Sequence, residues 1–123
     1  MWAVKFKGDD FVSCVFCDIA AGKLPAKKIY ETDNVLAFFD VAPQAPVHFL
    51  VILKQHVESV AKLESNQFSL LGELFEGIVN AAKKLKLNDN FRIISNCGEG
   101  AGQTVKHMHF HVLAGKQFDE SLA

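Results

Sequence analysis

Lys106-His107-Met108-His109-Phe110-His111-Val112-Leu113 alternates histidine with apolar residues and then closes on two aliphatic ones. Successive side chains of a strand point to opposite faces. As a strand, this stretch turns His107, His109 and His111 to one side and Met108, Phe110 and Val112 into a core. A core strand has no use for three imidazoles on one face. The plain alternative is a solvated face that happens to carry histidine, and the residues upstream weigh against it.

Gly98-Glu99-Gly100-Ala101-Gly102-Gln103-Thr104 leads directly into the histidines. Glycines at every second position let backbone N–H groups turn toward one point, which makes an anion-binding concavity. Gln103 and Thr104 add side-chain donors. Before that loop, Phe91-Arg92-Ile93-Ile94-Ser95 reads as a strand. Before that strand, Phe68, Leu71, Phe75, Ile78, Ala82 and Leu85 recur at helical spacing. Ser65 or Asn66 caps this long helix, and Asn88-Asp89-Asn90 stops it. His48–Leu53 is a continuous apolar run of strand length, preceded by a Pro43-Gln44-Ala45-Pro46 loop. Lys28–Glu31 and Val35–Phe39 form a hairpin around Thr32-Asp33-Asn34. Cys14 to Ala21 is a short helical segment ended by Gly22 and Pro25. Residues 1–13 read as a lead-in whose Trp2, Phe6 and Phe11 cover part of the surface, and residues 14–123 as one domain. The expected class is α+β: a five-stranded antiparallel sheet with one long and one short helix.

The 123 residues, 50% hydrophobic, suit a single core. A net charge of -1 gives no electrostatic reason for binding nucleic acid or a membrane surface. No apolar run approaches the roughly 20 residues of a bilayer span, and Met1–Phe11 lacks the apolar core of a signal peptide. The cysteines number 3, an odd count, and two form Cys14-Val15-Phe16-Cys17. That argues against a secreted disulfide framework and for a reducing compartment, with the pair as thiols or metal ligands. Cys97 reads as a small residue at a strand end.

Imidazole titrates close to neutrality, so three on one face suit either a metal site or catalysis at a phosphate. Same-face residues of a flat strand stand roughly 6–7 Å apart, so all three converge poorly on one ion. The glycine loop favours phosphate.

His107-Met108-His109-Phe110-His111-Val112-Leu113 matches the motif His-φ-His-φ-His-φ-φ, with φ apolar, of the histidine-triad (HIT) nucleotide-binding proteins. Ile19–Lys27, Leu36–Val41, Pro43–Ile52 and Asn96–Thr104 resemble the Hint branch of that family, the nucleoside phosphoramidases, and the likeness runs from about Cys14 to about Gly115. The resemblance implies a HIT-like fold that dimerises through the long helix and fourth strand into a continuous ten-stranded sheet. It implies hydrolysis of purine nucleoside 5′-phosphoramidates, derivatives of AMP or GMP, through a nucleotidyl-histidine. His109 is then the nucleophile, with its Nδ1–H on a backbone carbonyl. His111 contacts the phosphate or leaving group, and His48 orients the triad. Gly102, Gln103 and Thr104 stabilise developing charge, and Asn96 completes the shell. Val15, Phe16, Ile19, Phe38 and Val41 line the nucleoside, although read without the family these five are ordinary core. Asp40 takes the ribose hydroxyls or, read alone, caps a turn. Cys14, Cys17, His56 and His107 bind a structural zinc. The implied location is the cytoplasm, or the nucleus in a eukaryote.

Leu53 stands where the family often has proline, Thr104 where serine is common, and Phe39 where animal members often have histidine. Residues 117–123 lack the tryptophan-containing tail of those members, which leaves the leaving-group preference open. Two rivals follow: a dinucleoside polyphosphate hydrolase of the Fhit type, disfavoured by the short tail, and a non-catalytic nucleotide- or zinc-binding interaction protein.

Overall fold

In a computed structural model that describes residues 14–123, five strands form one antiparallel sheet. They are β1 (Lys28–Glu31), β2 (Val35–Phe39), β3 (Val47–Leu53), β4 (Arg92–Ile94) and β5 (His109–Ala114), in the spatial order β1-β2-β3-β5-β4. Helix α1 spans Val15–Ala20 and α2 spans Leu70–Lys84. Trp2, Phe6 and Phe11 lie outside the described residues. No helix among those described is long and apolar enough to cross a membrane.

The apolar run in β3 is continuous because the sheet is covered on both sides. Phe49, Val51 and Leu53 face α2, where they pack with Val35, Ala37, Met108, Val112, Leu74 and Ile78. Leu50 and Ile52 point the other way and pack with Leu36, Phe38, Val105 and the α1 residues Phe16 and Ile19. In the β3–β5 register Leu50 stands opposite His111 and Ile52 opposite His109. The two histidines therefore share the α1 face, with His48 two residues along β3 on the same side. Met108 and Val112 lie in the α2 core with Phe110 packed against it.

Four details differ from the sequence expectation. The buried face of α2 is Leu74, Gly77, Ile78, Ala81 and Ala82, whereas Phe68 and Phe75 are 55% and 44% exposed. The cause is close approach. A Cβ on Gly77 would lie 2.8 Å from Val35 Cγ1, so small residues set the contact with the sheet and the larger aromatics ride outside it. The helix also ends before Asn88. The Lys86 N–H donates to the Lys83 carbonyl and the Leu87 N–H to the Ala82 carbonyl, with Lys86 left-handed at φ 58°. That is a Schellman ending with lysine in place of glycine. At the start, Glu64 and Gln67 form a capping box on a short 3₁₀ turn, Ser65–Gln67, ahead of α2. Finally, β5 begins at His109, so His107 lies in a bend outside the ladder.

Candidate active site and an adjoining cysteine–histidine cluster

β5 lies between β3 and β4, and this interior position holds His109 and His111 on a rigid frame. The His109 ring is 5% exposed. Its Nδ1–H donates to the His107 carbonyl at 2.7 Å, which leaves Nε2 with a free lone pair. Ser95 Oγ in turn donates to the His109 carbonyl at 2.8 Å.

The hydrogen-bond chain around His48 fixes two further tautomers. The Gln44 backbone N–H donates to His48 Nδ1 at 2.9 Å, so His48 carries its proton on Nε2. That nitrogen is 2.9 Å from His111 Nδ1 and 3.5 Å from Asp40 Oδ2. His111 Nδ1 is then an acceptor, and His111 keeps its proton on Nε2. Two neighbouring rings, 4.9 Å apart between centroids, thus offer complementary atoms: a lone pair on His109 and an N–H on His111.

Burial lowers the pKa of His48, His109 and His111, with His111 lowered to about 4 by burial and then by the nearby His109 and His48. The rings are accordingly neutral near pH 7, as a nucleophilic imidazole must be. An unfolded-chain histidine titrates near 6.5. Between that value and about 4 the unfolded chain binds more protons than the folded one. Stability should therefore fall as pH drops through this window and level off below it. Urea midpoints measured across the window check this; a flat midpoint contradicts it.

The glycine loop is organised from within. Gly98 and Gly102 take φ values of 86° and 93°, a region open mainly to glycine. Gln103 is buried; its Oε1 accepts from the Gly98 N–H at 2.7 Å, and its Nε2 donates to the carbonyls of Glu58 and Val105 at 2.7 and 2.9 Å. Both amide hydrogens of Gln103 are thus engaged inside the protein, and the side chain staples the loop to the chain before and after it. Asn96 is half-buried, with Nδ2 3.7 Å from the position a Cβ of Gly102 would take, and Thr104 is exposed. Asp40 Oδ1 accepts from the Ala42 N–H at 2.8 Å and closes a turn. Of the apolar residues expected around a nucleoside, Phe16, Ile19 and Phe38 are buried to within 1%, Val15 is half-buried and Val41 is 62% exposed. The first three form a floor, and Val15 and Val41 keep accessible surface.

A second group lies next to the triad. Cys14 caps α1 and Cys17 sits one turn on, with the Cys17 N–H donating to Cys14 Sγ at 3.3 Å. His107 Nδ1 is 3.3 Å from Cys14 Sγ and 3.4 Å from Cys17 Sγ, and His56 Nδ1 is 3.3 Å from Cys17 Sγ. All four donor atoms lie within 4.8 Å of one another. Tetrahedral zinc with such ligands needs sulfur–nitrogen edges of about 3.6 Å, close to these. The tautomer also fits, because His107 Nε2–H donates to the Leu53 carbonyl at 2.8 Å and leaves Nδ1 facing the sulfurs. Burial and then the neighbouring Cys14 push the Cys17 thiol up to about 12, so a bound cation is what would deprotonate it.

Asp40, His48 and His111 also converge within 4.8 Å but do not suit a metal. A metal on His48 Nε2 would require the proton on Nδ1, where the Gln44 N–H already donates. In this second group His48 Nε2–H donates to His111 Nδ1, and the Asp40 carboxylate stands 3.5 Å from the same His48 nitrogen.

Sequence reasoning missed Ser95, the Gln44 N–H and the Leu53 carbonyl. The last two are backbone groups, which carry no residue signature.

The model of the HIT domain family matches residues 21–118. Protein HitA of Neisseria gonorrhoeae is 39% identical over 101 residues, covering 82% of this chain and 94% of that protein. A solved HIT family hydrolase from Legionella pneumophila is 36% identical with a TM-score of 0.84, covering 88% of this chain and 97% of the other. A histidine triad nucleotide-binding protein from Candida albicans is 28% identical with a TM-score of 0.74, covering 90% and 87%.

Proposed function

The chain belongs to the HIT domain family, and from that premise we propose that it hydrolyses the P–N bond of purine nucleoside 5′-phosphoramidates such as adenosine 5′-phosphoramidate. The observation that carries this reading is the pair of tautomers: a buried neutral His109 with its lone pair on Nε2, beside a His111 that presents Nε2–H. His109 Nε2 attacks the α-phosphorus, and the P–N bond breaks as a nucleotidyl-histidine forms. His111 Nε2–H donates to the phosphate oxygens or the departing nitrogen, and His48 holds His111 in that state. Water then releases the nucleoside monophosphate. Backbone N–H groups near Gly102, with Thr104 and Asn96, stabilise charge on the phosphate. Gln103 contributes by holding the loop in shape.

Val15 and Val41 contact the nucleoside over the floor of Phe16, Ile19 and Phe38, and Asp40 accepts from the ribose hydroxyls. Zinc bound by Cys14, Cys17, His56 and His107 supplies a cross-link between α1, the chain after β3 and the approach to β5. None of the three cysteines is in a disulfide, which suits the reducing cytoplasm.

The test is hydrolysis of adenosine 5′-phosphoramidate beside diadenosine tetraphosphate, with quenched protein examined by mass spectrometry for AMP on the peptide bearing His109. Preference for the phosphoramidate and an AMP adduct support the reading. Preference for the tetraphosphate points to a Fhit-type hydrolase, and nucleotide binding without turnover points to an interaction module.

A homodimer belongs to the same reading. Phe68, Phe75 and Val79 around α2 and Ile93 and Ile94 on the edge strand β4 are 38–55% exposed, an apolar surface of the kind monomers seldom leave open. Sedimentation should give twice the chain mass, and Phe75→Glu with Ile93→Glu should give the monomer. A monomeric parent protein contradicts this part.

A further inference from the structure

The geometry points to His107 as a positioning residue: the Cys14–Cys17–His56–His107 cluster, by clamping the His107 ring, fixes the peptide carbonyl that holds His109 in its reactive tautomer. This rests on two parts of the reading above, His109 as nucleophile and zinc in the cluster.

The ladder between β3 and β5 begins at the pair Ile52 and His109. The carbonyl that receives His109 Nδ1–H belongs to His107, two residues earlier and outside the ladder, where the chain is bent. Sheet hydrogen bonds therefore do not orient it. Two other restraints do. The His107 ring is held between the Leu53 carbonyl at 2.8 Å and the sulfurs of Cys14 and Cys17 at 3.3 and 3.4 Å. The N–H of the same peptide unit, that of Met108, donates to the Val57 carbonyl at 2.6 Å. Val57 follows His56, another member of the cluster, in a segment that has left β3 and has no regular structure. Both ends of the peptide plane thus depend on residues joined through the cluster. The same ligands carry Phe16, set between the cysteines, whose ring edge packs on His109 at 5.1 Å between centroids.

With the clamp open, the carbonyl can rotate away. His109 then has no reason to keep its proton on Nδ1, and the Nε2 lone pair is present only part of the time. The loss falls on the chemical step rather than on nucleotide affinity.

The experiment is long-range ¹H–¹⁵N spectroscopy of the imidazole nitrogens in zinc-loaded protein, in protein treated with a chelator, and in His56→Ala. AMP affinity, kcat and circular dichroism are measured on each. The loaded protein should show one tautomer of His109, protonated at Nδ1. Chelated protein and His56→Ala should show a mixture, with kcat down about tenfold or more, AMP affinity little changed, and both effects reversed in the chelated protein by added Zn²⁺. If chelation unfolds the chain, His56→Ala, altered at an exposed ligand, carries the test. An unchanged His109 tautomer in folded, metal-free protein overturns the proposal, as does failure to bind stoichiometric Zn²⁺. Absence of phosphoramidate turnover sinks the functional reading alone, since the tautomer is read without substrate.

Discussion

Replacing His109 with alanine is expected to lower phosphoramidate turnover by about 10⁴-fold or more while leaving the protein folded and able to bind AMP. The size follows from what is removed. His109 Nε2 is the ring nitrogen held with a free lone pair, because its partner Nδ1 is tied to the His107 carbonyl. Neither neighbour can substitute. His111 Nδ1 accepts from His48, and His48 Nδ1 accepts from the Gln44 N–H. Without a nucleophile what remains is positioning and charge stabilisation, which keep only a residual rate. His111→Ala removes a donor and should cost less, about 10²–10³-fold. The ranking is the informative result, read from single-turnover rates with adenylated protein followed by mass. An adduct that survives in His109→Ala, or a rate within about tenfold of the parent, assigns the nucleophile elsewhere.

Much of the frame was legible because its periodicities are clean. The alternation from His109 to Val112 gives the two faces of β5, and the unbroken run His48–Leu53 marks a strand covered on both sides. Less legible was anything decided by close approach or by the backbone. The α2 stripe drawn through Phe68 and Phe75 followed the largest side chains, whereas contact with the sheet is made where Gly77 and Ala81 permit it. The site divides in the same way. Side chains with distinctive chemistry were named from the sequence, and Cys14, Cys17, His56 and His107 do converge. The protonation states of His48, His107 and His111 are not readable, since these hang on the Gln44 N–H and the Leu53 carbonyl; that of His109 follows from the family resemblance, and the His107 carbonyl is the group that receives its Nδ1–H. Every residue but proline offers the same N–H and C=O, so no composition or spacing can announce which ones are used.

Phe16→Ala should be the most damaging single change to the fold at this site, costing about 3–5 kcal/mol and lowering the melting temperature by on the order of 20 °C. Phe16 has 0% exposure and meets three rings edge-on, with centroids 5.5 Å from Phe38, 6.0 Å from His107 and 5.1 Å from His109. The cover on this side of the sheet is thin: α1 has 6 residues, of which Phe16 and Ile19 are the buried ones. So short a helix has little other apolar surface with which to close the cavity, and the cost should lie toward the upper part of the range for such truncations. A nucleoside-contacting wall predicts a different pattern, a raised KM with stability nearly intact. Because Phe16 is floor, stability and kcat should fall together, since the cavity opens between the cysteine–histidine cluster and His109, the proposed nucleophile. Phe16→Leu, which refills part of the space, should recover much of both. Thermal melts beside kcat and KM for the two variants decide the matter, and a Phe16→Ala protein that melts like the parent but binds nucleotide poorly would return Phe16 to the wall of the site.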